Sequence, residues 1–235
     1  MARTRTLSQM REESYRRADC EGAYDRHDRA DVDRDLNQGS AEMWDALIEA
    51  RGAEYLQTSA TLTTTADTSS YALTSAAPTF YILIGVRVDE TGGYPLTKFA
   101  PHEEAALRDP NAGGGWPTHY QLRRTGAGVS SLVILPEHEA GLTIAVDYVP
   151  AFTDMVDDTD TFDGLNGWED YPIDFAARKM AMRDEDWDLA DRLEKDMART
   201  KARIMRVSPK RDLHQARRSR DVRANALRIR RFPPP

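Results

Sequence analysis

The sequence predicts an α+β protein: a helical bundle with an inserted small antiparallel β-sandwich or barrel and an extended basic C-terminal arm. Three observations carry this. Apolar residues recur at helical spacing toward both ends of the 235-residue chain, and a central stretch turns β-branched and nearly uncharged. The sign of the charge then reverses near the C-terminus. Residues 199–235 carry 13 Lys or Arg against two acids, +11, which leaves 19 basic against 37 acidic residues before them, −18. An acidic body with a basic tail implies an acidic partner for the tail, nucleic acid or protein.

Composition excludes several classes. Apolar residues make up 40%, within the globular range once the 14 glycines are added, so disordered, collagen-like and disulfide-scaffold chains are ruled out. No apolar run approaches the roughly eighteen residues of a membrane span; the longest, residues 80–86, has strand length. Residues 1–11 are basic, but no apolar segment follows, so no signal peptide is expected. Cys20 is the single cysteine, which excludes an internal disulfide and suggests assembly in a reducing cytoplasm.

Taken in order, residues 7–22 read as a first helix with Leu7, Met10, Ser14 and Ala18 on one face. Residues 25–39 are charged, break the pattern, and end in Asn37-Gln38-Gly39. Ser40 then suits the N-cap of a second helix, with Met43, Trp44, Leu47, Ile48 and Tyr55 at helical spacing, Arg51 on the flank and a fade near Leu56. Strands are predicted at 58–65, 71–73 and 80–88, the last being the strongest. Thr91-Gly92-Gly93 turns the chain back toward 94–97, and a short helix fits 102–107. A flexible loop at 111–115 precedes strands at 119–123, 131–135 and 142–149. Helix returns after Trp168, with Pro172 in its first turn and Phe175, Ala176, Lys179 and Met180 on one face. Asp184 suits the N-cap of a separate helix reaching Met205. Its stripe is Trp187, Ala190, Asp191, Leu193, Met197 and Ile204, with Glu194 and Ala198 exposed. The expected units are bundle helices 1–56, a β-rich insert 57–150, bundle helices 151–207 and an arm 208–235.

Enzyme motifs fail on inspection. There is no phosphate-binding G-x-x-x-x-G-K-[ST], no G-x-G-x-x-G opening a helix and no G-x-S-x-G elbow. Gly126-Ala127-Gly128 reads as a hairpin turn, and His102-Glu103-Glu104 lacks a second histidine four residues on. His27, His102, His119, His138 and His214 show no ligand spacing, and Cys20 has no evident partner, which reads as a structural thiol. In the acidic run 154–170, Asp158, Asp160 and Glu169 fall at positions one, three and twelve of a calcium loop. Phe162 and Asp163 then occupy positions five and six, where an oxygen ligand and a glycine are needed. The run reads as a polar loop entering a helical pair. A carboxylate pair for glycoside cleavage is not distinctive in so acidic a chain. No catalytic residue, cofactor or metal is expected.

The tail carries Arg206, Lys210, Arg211, Arg217, Arg218, Arg220, Arg223, Arg228, Arg230 and Arg231, interleaved with Leu213, Val222, Leu227, Ile229 and Phe232. Phosphate binding needs only the former. Docking into a protein groove uses both, with apolar anchors and arginine forks. A merely solvated tail is the bland alternative.

The string Asp160-Thr161-Phe162-Asp163-Gly164-Leu165-Asn166-Gly167-Trp168-Glu169-Asp170-Tyr171, with the strand at 142–149 before it and Arg183-Asp184-Glu185-Asp186 after it, resembles the adaptor, or head-to-tail connector, proteins of tailed bacteriophages. The resemblance spans about 40–207 and includes Ser70–Leu73, Phe80-Tyr81, 95–99, Tyr120, Leu122 and 132–136. It implies a non-enzymatic ring, usually twelve-fold, beneath the portal of the filled capsid. Its partners would be the portal protein, further copies of itself, a downstream tail or stopper protein, and genomic DNA passing through without sequence-specific contact. The protein would reside in the virion neck after assembly in host cytoplasm, with no membrane partner. Residues 206–232 would form the portal-docking arm. Asp157, Asp158, Asp160, Asp163, Trp168 and Glu169 are the candidates for contact with the basic face of a neighbouring subunit. A body of −18 per copy would keep DNA from adhering to the channel. Competing readings are a DNA-binding protein acting through the tail and a virion-borne cell-wall hydrolase.

Overall fold

The computed structural model describes residues 5–207 apart from 74–76, 78, 91–92, 109–115, 125–129, 138–139 and 163–167. The expected turns at 91–92 and 126–128, the loop at 111–115, Asp163 and the whole arm from 208 onward lie outside the described residues. The chain is α+β. In order it forms α1 (Leu7–Arg17), α2 (Arg29–Arg51), a 3-10 turn (Ala53–Leu56), β1 (Thr58–Thr63), β2 (Ser70–Ala72), β3 (Phe80–Val88) and β4 (Thr97–Lys98). There follow a 3-10 turn (Pro101–Glu103), α3 (Glu104–Leu107), β5 (His119–Arg124), β6 (Ser130–Leu135), β7 (Thr143–Pro150), α4 (Asp170–Arg183) and α5 (Trp187–Val207).

Helix α1 starts with a reciprocal cap. Thr6 Oγ1 accepts from the Gln9 N–H at 3.3 Å, and Gln9 Oε1 accepts from the Thr6 N–H at 3.2 Å. Helix α2 differs from its sequence expectation. It begins at Arg29 behind an Asp28 cap, so residues 29–39 are helical and Ser40 lies inside the helix. The residues that read as a chain break serve tertiary contacts instead. A Cβ on Gly39 would stand 2.9 Å from Phe175 Cβ and 3.0 Å from Pro172 Cα, so the glycine is what lets α2 approach α4. Ser40 donates its hydroxyl to Leu36 O at 2.8 Å. Asn37 pairs with both backbone groups of Met155 at 2.9 Å.

The junction of the last two helices also shifts. Asp184 is the C-cap of α4, and it is Asp186 Oδ1 that accepts from the Leu189 N–H, at 3.0 Å, at the start of α5. Of the predicted α5 stripe, Ala190, Leu193, Met197 and Ile204 are buried, while Trp187 is 59% exposed. Helices α1, α2, α4 and α5 pack round one core that includes Met10, Leu36, Met43, Trp168, Phe175 and Met180.

The strands form two sheets, ordered β1-β7-β3 and β2-β6-β5-β4. One apolar cluster draws Val86, Ile144 and Val146 from the first and Tyr71, Leu132 and Ile134 from the second. Strand β6 is buried on both faces, with Val133 and Leu135 turned to Phe99 and Leu107. That explains its unbroken apolar run. One pairing departs from the antiparallel expectation: β4 runs parallel to β5. Pro95 makes only a bridge to Arg87 of β3, and the chain then crosses to the second sheet, where the Thr97 N–H donates to Thr118 O at 2.9 Å.

Candidate functional site

The acidic loop after β7 is turned inward onto α1. Leu7 N–H donates to Asp160 O at 2.8 Å and Ser8 N–H to Asp158 O at 3.2 Å, so loop carbonyls satisfy two of the four orphan donors at the start of α1. Asp160 Oδ2 accepts from the backbone N–H groups of Val156 and Asp157 at 2.8 and 2.9 Å. These bonds, the Asp157 one foremost, hold its carboxyl below the usual range. Asp158 reaches Arg11 Nη2 at 2.8 Å, and Arg11 is also forked onto Asp33 at 2.7 and 2.8 Å.

The expected subunit-contact residues therefore divide. Asp157 and Asp158 are exposed, Asp160 is half-buried and bonded within its own loop, and Asp163 is outside the described residues. Trp168 and Glu169 are corrections: each is only 2% exposed, so both belong to the helical core and neither presents a surface to a neighbour. An apolar tryptophan two residues before a helix is drawn in as a core anchor. Of the arm, Arg206 is exposed at the end of α5.

A charged node joins α1 to α4. Arg17 Nη1 meets Asp174 Oδ1 and its Nη2 meets Asp170 Oδ1, both at 2.6 Å, while Nε reaches Glu13 Oε1 at 3.3 Å. Burial pulls the Arg17 guanidinium down, but Asp174 and Asp170 overturn it and the net shift is upward. Burial dominates at Asp174 and pushes its carboxyl up against the pull of Arg17. Beside this node runs a groove of about 520 Å³ between α1, α4 and α5, lined by Arg16, Arg17, Arg192, Asp196 and Arg199. A second of about 420 Å³ shares Arg16, Arg17 and Arg192 and ends at Asp186 and Leu189. Mixed charge in open grooves of this kind suits contact with a complementary charged protein surface.

The structure also assembles a trio that spacing did not reveal. Ligand atoms of Cys20, His27 and Asp184 lie within 4.8 Å of one another. His27 Nε2 is 3.1 Å and Cys20 Sγ 3.4 Å from Asp184 Oδ2. Arg26 Nη2 holds the other oxygen, Asp184 Oδ1, at 2.8 Å. Burial, then Asp184, push the Cys20 thiol up to about 11, so it is a protonated donor at neutral pH and not an activated nucleophile. Asp184 lies more than 150 residues from its partners, and no local signal in the sequence joins them.

Comparison of the chain with known protein families and with curated proteins found no match.

Proposed function

We propose that this chain is a structural adaptor of a bacteriophage neck, a ring that docks on the portal, joins the DNA-filled head to the tail and lets DNA pass. In this reading residues 1–56 and 151–207 build a helical bundle, 57–150 a projecting β-sandwich insert and 208–235 a basic arm. The observation that carries it is the division of charge: +11 in residues 199–235 and −18 before them, with apolar anchors between the arginines. A closed ring needs two different complementary patches on each copy. The exposed carboxylates of Asp157 and Asp158 offer one patch, and the mixed-charge grooves beside α5, where Arg16, Arg192 and Arg199 alternate with Asp186 and Asp196, offer a different one.

The test is electron microscopy of the full-length protein mixed with its cognate portal. A ring of density capping the portal, with the arm traced onto its surface, is the expected result. Deleting residues 208–235 should leave circular dichroism and melting unchanged and abolish association; unchanged association overturns the docking role. The tail charge also favours a second reading, DNA binding. A steep loss of DNA affinity with salt in the absence of any portal complex would establish it instead.

A further inference from the structure

We propose that Cys20 Sγ, His27 Nε2 and Asp184 Oδ2 are the protein ligands of a site for a zinc-class divalent cation, stapling the α1–α2 connection to the α4–α5 junction. A thiolate, an imidazole and a carboxylate together select a borderline-soft cation; calcium and magnesium take oxygen ligands alone. Tetrahedral zinc at ordinary bond lengths separates its ligands by about 3.3–3.7 Å. The observed separations from Asp184 Oδ2, 3.1 Å to nitrogen and 3.4 Å to sulfur, are near those edges, and all three atoms lie within 4.8 Å.

The site is built rather than superficial. The His27 side chain is 1% exposed and that of Asp184 15%. The Tyr15 hydroxyl donates to His27 O at 2.6 Å, fixing the backbone beneath the ring. Before binding, the His27 Nε2–H donates to Asp184 Oδ2 at 3.1 Å, while His27 Nδ1 is buried with no protein partner among the described residues. On binding, the imidazole proton moves to Nδ1, the Cys20 thiol releases its proton to solvent, and Asp184 coordinates through the oxygen that Arg26 leaves free. Three protein ligands leave the fourth position to water.

The experiment uses the full-length chain freed of metal by chelation, titrated with Co²⁺ and then Zn²⁺. One equivalent of Co²⁺ should give visible bands of four-coordinate cobalt and a thiolate-to-cobalt charge-transfer band, both erased by Zn²⁺. Zn²⁺ should raise the melting temperature of the native chain. Cys20→Ser, which keeps size and partial exposure, should melt like the native chain without metal, lose the charge-transfer band and weaken Zn²⁺ binding about 100-fold or more. Arg26→Ala, which removes a competing cation, should tighten it about tenfold. Absence of the charge-transfer band in the native chain, or an undiminished Zn²⁺ shift in Cys20→Ser, overturns the site. Because binding is read on the isolated chain, its failure leaves the neck reading untouched.

Discussion

Helices α1, α2, α4 and α5 close over Arg11, Asp35, Glu169 and Asp174, whereas the polar side chains buried among the described strands are Thr64, Gln121 and Ser131, all uncharged. The two regions thus define their packing differently. The sheet core is an apolar cluster in which shape and period-two alternation decide which face turns inward. In the helices three of these four buried charges sit beside a partner, and each ion pair also fixes which helix face meets which: Arg11 with Asp33, Arg17 with Asp174, Arg183 with Asp35. Glu169 Oε2 is buried with no hydrogen-bond partner among the described residues.

The largest contrast is expected at Arg17. Arg17→Met leaves the Asp174 carboxylate buried without its cation and should cost about 3 kcal/mol in urea unfolding. Adding Asp174→Leu should restore most of that, since a matched apolar pair replaces the broken ion pair. A loss under about 1 kcal/mol for the single variant would show that the pair does not set the helix contact. Next comes Gly39→Ala. Its Cβ meets backbone and side chain of α4, so despite the better helix propensity a net loss of about 2 kcal/mol is expected, read by the same unfolding curves. In the sheets, Ile134→Val removes one buried methylene and should cost about 1 kcal/mol with no change of partner strand.

The smallest effect is one of pH. The Asp160 carboxyl lies below its ordinary 3.8 because the N–H groups of Asp157 and Val156 bond its charged form. Its contribution is complete above that value and is lost as pH falls through the folded value. Between about pH 5 and about pH 3 the urea midpoint of the native chain should fall more steeply than that of Asp160→Asn. Parallel curves would mean that the loop which caps α1 does not depend on that carboxylate.

Strands were the more legible part of the sequence, because β-branched runs bounded by glycine depend on local chemistry. The strand predicted at 80–88 and the observed β3 coincide. Helix boundaries failed where a residue's purpose was tertiary. Asn37, Gly39 and Ser40 have the composition of a turn, yet they serve a backbone 118 residues away, a close helix crossing and an internal hydroxyl bond. Trp187 matched the helical period of α5 but sits at its first turn and faces solvent. Within the candidate contact set, Asp157 and Asp158 are exposed whereas Trp168 and Glu169 are buried, since the composition of a loop does not tell a core anchor from a surface residue. Cys20, His27 and Asp184 meet only once both turns are folded.

The carbonyls of Asp158 and Asp160 that complete the first turn of α1 are made some 150 residues after it. On the ribosome, therefore, the first two helices emerge with their apolar faces uncovered and wait for α4 and α5. The described strands, which lie between residues 58 and 150, can pair as soon as β7 has left the exit tunnel. A chain released after ending between residues 150 and 168 would hold paired sheets and orphaned amphipathic helices, an aggregation-prone product.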